Sequence, residues 1–264
     1  MLSKMRITGV DEVGRGALAG PVVSASFTTS FSFLNQTLSQ LQNLQKDTSS
    51  KSFVKNIDRL KKLIEFDIKV TEQITDLEEE AINTSENEKI ISTLVTLNDS
   101  KKVTKLNREK LYKILTKIGE FKLGIVDSTE IDKIGLQKAN IKSMINTLPM
   151  ITKGGHFILT DHLDISKVKL STPMTANITA KYLSFDKGDS RSFCIAAASI
   201  IAKVSRDKIM ADFHTPYPKY GFNVHVGYGT KQHIESIKLN GPCKIHRLSY
   251  KIFKDANNIA RKSR

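Results

Sequence analysis

Three features of the sequence predict an α/β fold, with a central sheet and helices packed on it. Residues 5–28 read as strand, glycine-rich turn and strand. From residue 99 onward short apolar strands alternate with amphipathic helices. Apolar residues make up 39% of a 264-residue chain, enough to build a sizeable core.

In the opening segment Val23, Ala25 and Phe27 alternate with Ser24 and Ser26, the period of a half-buried strand. Residues 29–97 change character, being rich in Ser, Thr, Gln, Asn, Lys and Glu, and read as an insertion that folds locally and carries no catalysis. Within it Phe53, Ile57, Leu60 and Ile64 share one helical face. Phe66, Ile68 and Val70 alternate as a short strand would, and a polar helix bearing Glu78, Glu79 and Glu80 is expected next. Further on, Leu111, Ile114, Leu115 and Ile118 mark an amphipathic helix, and Phe121, Leu123 and Ile125 a strand. Ile141, Met144, Ile145 and Leu148 mark another helix, and residues 156–160 an apolar strand that ends at Asp161. A strand near 181–185 runs into Lys187-Gly188-Asp189-Ser190, followed by a helix of small residues at about 194–212. The remainder, with Pro216, Pro218 and a helix near 230–239, reads as a separate C-terminal helical region, giving domains at 1–212 and 213–264.

Lys and Arg total 41 against 27 Asp and Glu, a net charge of +14, which favours a polyanionic partner. Codon usage that spells Lys, Asn and Ile often is the competing explanation. Cys194 and Cys243 cannot form a disulfide framework, and the absence of a CxxC pair argues against structural zinc. Only residues 1–6 precede the first apolar segment, so a signal peptide is not expected. The longest apolar run, 193–202, is well short of the ~20 residues a membrane span needs. A cytoplasmic protein with no membrane attachment is expected.

The sharpest signal is Gly9-Val10-Asp11-Glu12-Val13-Gly14-Arg15-Gly16-Ala17-Leu18-Ala19-Gly20-Pro21-Val22-Val23. Two adjacent acids in an apolar strand are costly to bury unless they meet a cation. Successive strand residues point to opposite faces, so Asp11 and Glu12 would approach an ion from different angles. Gly14-Arg15-Gly16 lets backbone come close to a ligand and adds one fixed cation. The plainer reading of a bare acid pair and glycine turn is a solvated strand end; the length of this string argues against it.

That string resembles the opening motif of the type 2 ribonucleases H (ribonuclease HII). Further blocks of the same family follow in order. They are Asn98-Asp99-Ser100-Lys101-Lys102 with Arg108-Glu109, Glu130-Ile131-Asp132, and Gly188-Asp189-Ser190 with the helix from Ile195 to Asp207. After them come Tyr217-Pro218-Lys219-Tyr220-Gly221-Phe222, Gly227-Tyr228-Gly229-Thr230 and His246-Arg247-Leu248-Ser249-Tyr250. The resemblance covers residues 5–28 and 98–252. It implies a ribonuclease H-like fold, a central mixed sheet flanked by helices with a small, mostly helical C-terminal region.

Carried over residue by residue, the resemblance puts the four metal-binding and catalytic acids at Asp11, Glu12, Asp161 and Asp189. Hard oxygen donors suit Mg²⁺ or Mn²⁺. After Asp161 this chain has His162 where the family usually has glycine, and Asp164 is the rival ligand. Asp207 is the rival for Asp189, but Lys203 lies four residues earlier and an intrahelical ion pair is the better reading. By resemblance Lys101 would hold a phosphate, and Gly14, Arg15, Gly16 and Tyr228 would sense a ribose 2′-hydroxyl, Tyr228 by stacking on the sugar. His246 and Arg247 are read as structural. The activity implied is endonucleolytic hydrolysis of RNA in RNA–DNA hybrids and cutting 5′ of single ribonucleotides in duplex DNA. The products carry a 3′-hydroxyl and a 5′-phosphate, as ribonucleotide excision repair requires. The enzyme is expected to act as a monomer. Three alternatives stand beside it: a type 3 ribonuclease H, a non-catalytic hybrid-binding protein, and a generic basic nucleic-acid-binding protein. The basic tail at 255–264 lacks an obvious aromatic pair, so a sliding-clamp partner is not expected.

Overall fold

The computed structural model describes residues 5–48, 50–72, 88–148, 156–161 and 181–253. It contains the expected central sheet, five strands in a mixed arrangement ordered β3-β2-β1-β4-β5. These are β1 (Arg6–Val13), β2 (Val22–Ser30), β3 (Glu120–Val126), β4 (His156–Asp161) and β5 (Lys181–Phe185). β4 runs parallel to both β1 and β5. The helices are α1 (Phe31–Asp47), α2 (Lys51–Glu72), α3 (Glu88–Leu94), α4 (Lys105–Ile118), α5 (Ser128–Ile134), α6 (Leu136–Thr147), α7 (Phe193–His214), α8 (Phe222–His225) and α9 (Lys231–Asn240). The chain divides into two compact units. One comprises Met1–Asp11, Ala25–Lys122 and Thr147–Ile201, and the other Glu12–Ser24, Leu123–Asn146 and Ala202–Arg264. No helix among the described residues is long and apolar enough to cross a membrane.

In the first unit the core lies between the sheet and the start of α7. Ile7, Phe157, Ile158 and Leu159 are buried with Phe193, Ala196, Ala197 and Ala198, and the Phe27 and Phe193 rings meet edge to face with centroids 6.0 Å apart. Gly9 permits this packing. A Cβ there would lie 2.1 Å from the Cys194 carbonyl carbon, so any side chain would push α7 off β1 two residues before Asp11.

Residues 29–97 depart most from expectation. Phe66, Ile68 and Val70 are not a strand but the last turns of the 22-residue α2, and the preceding polar stretch forms α1, capped by the Ser30 hydroxyl, which accepts from Phe33 N–H. The polar helix expected around Glu78–Glu80 falls outside the described residues. Nor is the segment peripheral. Leu34, Leu41, Ile57, Leu60, Leu63, Ile64 and Ile68 are buried. Arg59 of α2 donates to the carbonyls of Leu97 and Val95 at 3.2 and 3.1 Å. Most telling is Asp67, fully buried on α2, whose Oδ2 accepts the Cys194 N–H at 2.9 Å. An unfilled donor at the start of α7 is thus met by a carboxylate from α2.

Burial pushes the Asp67 carboxyl up to about 7, against bonds to Ser192, Cys194 and Phe193 that favour the anion. Because its folded value lies above its ordinary 3.8, the folded state holds the extra proton between those limits. Stability should therefore fall as pH rises through that window, by up to about 1.4 kcal/mol per pH unit from this group, and level off above it. Asp67→Asn keeps an acceptor for Cys194 N–H without the charge. Its denaturant midpoint is expected to be flatter than wild type between pH 4 and 8, and higher at pH 8.

In the second unit Ala19, Met210, Tyr220, Phe222, Ile237, Ile245 and Phe253 form one buried cluster, and Val22, Val126, Ile131 and Ala139 another. β3 forms as expected, but Phe121 and Ile125 are exposed, while Gly124 and Val126 turn inward. Asp132, in the Glu130-Ile131-Asp132 block, is an anchor. Its carboxylate accepts from the N–H groups of Leu248 and Ser249 and from the Ser249 hydroxyl.

Candidate active site

The acids of the first unit are placed by the sheet. Val10 pairs with Thr160 in the parallel register, so the next residues, Asp11 and Asp161, stand at the same level of neighbouring strands. Asp11 is buried, at 7% exposure. β5 then runs into Asp186 and Lys187, the latter left-handed at φ 56°, and the 3-10 turn Gly188–Ser190 brings Asp189 round. The turn is tied to Asp161, whose Oδ1 accepts the Gly188 N–H at 2.8 Å. Asp161 and Asp189 line a pocket of about 620 Å³ together with Asp99, Lys101, Asp186 and Lys187. His162 and Asp164 lie outside the described residues.

The Asp99 turn is separately braced. Lys101 N–H bonds the Asp99 carboxylate at 3.0 Å, Arg108 donates to the Ser100 and Val103 carbonyls, and Ser199 of α7 bonds the Ser100 hydroxyl at 3.0 Å. The Asp189 carboxyl is pushed up first by burial, then by the charges of Asp99 and Asp161; Lys101 opposes this, and a hydrogen bond with Asp99 adds to it. Asp99 is thus a site residue that sequence reasoning passed over, although its block had been singled out for Lys101. Lys203 pairs with Asp207 at 2.8 Å, as the four-residue spacing implied.

The second unit carries Glu12, the glycine turn and Tyr228. Arg15 Nη1 lies 3.2 Å from Glu12 Oε1. Gly14 is left-handed at φ +92°, and a Cβ on it would sit 2.2 Å from Arg206 Nε, so glycine is required here by the fold itself. Gly16 differs: nothing lies within 4 Å of its Cβ position, leaving space open on that side. Two fully buried arginines hold the turn. Arg206 donates to the carbonyls of Pro21, Val226 and Ala19 at 2.9, 2.9 and 3.1 Å. Arg247 donates to Gly20 and Arg15 carbonyls at 2.9 and 3.0 Å, the structural role expected of it. Tyr228 bridges Ala17, and its ring centroid lies 5.3 Å from the Arg206 guanidinium carbon and 5.7 Å from Lys203 Nζ.

The two glycines should respond differently to alanine. Gly14→Ala meets both the positive φ and Arg206, and should lower the melting temperature by about 5–10 °C. Gly16→Ala should melt within about 1 °C of wild type by calorimetry, so any loss of activity there reports on ligand approach.

The donor set suits a hard divalent cation. Carboxylate oxygens gather in one pocket, and the upward push on Asp189 from its acidic neighbours is one that a bound cation reverses. Among the described residues no three His, Cys, Asp or Glu side chains converge closely enough to hold an ion. The acids share the pocket without closing on one point, as mutually repelling charges do.

Comparison with known proteins bears on this arrangement. A family model described as Ribonuclease HII matches residues 80–253. The Ribonuclease HII of Caldanaerobacter subterraneus subsp. tengcongensis is 42% identical over 155 residues, 58% of this chain and 60% of that protein. The chain thus spans about three-fifths of the length of that relative. The Ribonuclease HII of Bacillus thuringiensis is 32% identical over 250 residues, 94% of this chain and 70% of the relative. Ribonuclease H2 from Pyrococcus horikoshii OT3 superposes with a TM-score of 0.60 at 21% identity, covering 98% of this chain and all of that one, a likeness of fold.

Proposed function

Since the chain belongs to the ribonuclease HII family, we propose that it is a divalent-metal-dependent endoribonuclease acting on RNA paired to DNA. Its distinctive substrate is duplex DNA with a single embedded ribonucleotide, cut on the 5′ side to leave a 3′-hydroxyl and a 5′-phosphate. The observation that carries this reading is the acid pocket, with Asp161 and Asp189 beside Lys101 and Asp11 level with Asp161 on the neighbouring strand. The residues assigned to hold Mg²⁺ or Mn²⁺ are Asp11, Glu12, Asp161 and Asp189. When bound, paired ions supply an activated water and neutralise charge at phosphorus and the leaving oxygen.

The chain's own groups do the rest. The Gly188 N–H fixes the Asp161 carboxylate, and the hydrogen bond with Asp99 restrains Asp189. Lys101 offers an exposed ammonium to a phosphate. Around Gly16 the open space admits a sugar edge to the backbone of Gly14-Arg15-Gly16, and Tyr228 provides a ring for stacking. Residues 1–212 are assigned to catalysis and 213–264 to substrate binding, within a monomer.

The test is cleavage of a duplex carrying one ribonucleotide beside an all-DNA control. Cutting of the first alone, abolished by chelator and restored by Mg²⁺ or Mn²⁺, is the expected result. Equal cutting of both duplexes, or activity restored by zinc but not by Mg²⁺, would overturn the reading.

A further inference from the structure

Three histidines of the second unit have no place in the function above. His225, His233 and His246 are buried, the rings of His225 and His233 stack with centroids 4.2 Å apart, and those of His233 and His246 lie 5.3 Å apart. Their hydrogen bonds determine the tautomers. Cys243 N–H, which can only donate, lies 2.8 Å from His246 Nδ1, closer than the Cys243 thiol and carbonyl at 3.1 and 3.3 Å, so that nitrogen accepts. The neutral ring then carries its proton on Nε2, which lies 3.1 Å from His233 Nε2. His233 Nε2 must accept, which leaves the proton of His233 on Nδ1. That atom lies 2.9 Å from the Tyr228 carbonyl, which can only accept. The Tyr228 carbonyl demands this direction, and the shorter of the two backbone contacts at Cys243 agrees with it.

We propose that His233, oriented by His246, is a positioning residue for Tyr228, the last donor in a one-way chain from Cys243 N–H through two neutral imidazoles to the Tyr228 carbonyl. The tyrosine's backbone is held at three points. Its N–H donates to the His225 carbonyl at 3.0 Å, and its carbonyl accepts from Thr230 N–H at 2.8 Å as well as from His233. Neighbouring Val226 and Gly227 are both left-handed, at φ 45° and 83°. A turn of that kind does not fix a ring's direction without such ties. Burial holds His233 and His246 down at about 4, so both remain neutral over the pH range where the chain is needed.

This inference rests on the reading of Tyr228 as the sugar-facing residue, and the experiment separates the two. Cleavage of the single-ribonucleotide duplex is measured for wild type, Tyr228→Ala, His233→Leu, His233→Asn and the double variant Tyr228→Ala/His233→Leu. Loss of one buried donor should lower kcat/KM by about tenfold in His233→Leu. Asn, whose amide nitrogen stands near the position of Nδ1, should recover activity to within about threefold. In the Tyr228→Ala background the His233→Leu change should cost nothing further. An equal loss in both backgrounds would make His233 merely structural and overturn the proposal. Full activity of Tyr228→Ala would instead overturn the sugar-sensing reading, and the proposal with it. An effect of Tyr228→Ala with none of His233→Leu would overturn the positioning role alone. Should His233→Leu fail to fold by circular dichroism, ¹⁵N NMR of the wild-type imidazoles decides the chain. A proton on Nδ1 of His233 and on Nε2 of His246 supports it; any other pair of tautomers removes it.

Discussion

Asp161→Asn is expected to lower turnover by roughly two to three orders of magnitude while leaving duplex binding nearly unchanged. The substitution separates charge from scaffold. An asparagine oxygen still accepts the Gly188 N–H, so the turn that carries Asp189 stays tied. What disappears is one negative charge from a pocket assigned to cations, and with it part of the upward push on Asp189. Single-turnover cleavage and a binding titration on the same duplex give the two numbers. Asp164→Asn should change neither. A reversal of the two effects would mean that His162, in place of the family's glycine, has shifted the ligand to Asp164.

The second large effect concerns folding. Replacing residues 35–92 by a short linker should give an insoluble or unfolded product, not a trimmed enzyme. Closing a shorter loop is cheap, so the linker is not the obstacle. The deletion removes the buried Leu41, Ile57, Leu60, Leu63, Ile64, Ile68 and Ile91. At about 1.5–3 kcal/mol for each such side chain, this is roughly 10–20 kcal/mol of gross burial, comparable with the whole net stability of a domain. It also strips Asp67 from the Cys194 N–H and Arg59 from the carbonyls preceding the Asp99 turn. Expression of the deletion followed by circular dichroism checks the outcome. A soluble product with a cooperative melt and wild-type activity would show that these contacts are dispensable.

The parts that sequence reasoning reads well are those governed by local pattern. β2, α4 and α6 fall where alternation or helical spacing places them, and β1, β4, β5, α7 and α9 where runs of apolar or small residues and their flanking turns do. One misreading has a plain physical origin. In α2 the buried stripe runs through Ile57, Leu60, Ile64, Asp67 and Ile68. The aspartate interrupts the apolar pattern, so the remaining Phe66, Ile68 and Val70 pass for a three-residue strand. Partners distant in sequence, Ser192, Phe193 and the Cys194 amide 127 residues away, explain an acid in that stripe. In β3 the alternation is real and the strand forms, but Phe121 and Ile125 are exposed and Leu123 half-buried, and no local rule states which face a core will cover. Asp161 and Asp189, which share the pocket, were legible through motif blocks. Asp99 was not, because a carboxylate inside an Asn-Asp-Ser-Lys turn has an ordinary local use, bonding the backbone two residues on, as it does here.

Arg206 donates to backbone carbonyls, and Arg247 to backbone carbonyls and the Tyr250 hydroxyl, so none of these hydrogen bonds neutralises their charge. Burial lowers Arg206 only to about 10, and it stays cationic near neutrality. Ions in solution damp the attraction of exposed lysines over about 8–10 Å, but penetrate poorly to charges sealed inside protein. As ionic strength rises, the surface field fades first. The field behind residues 14–21 persists when the rest of the molecule has become electrostatically quiet.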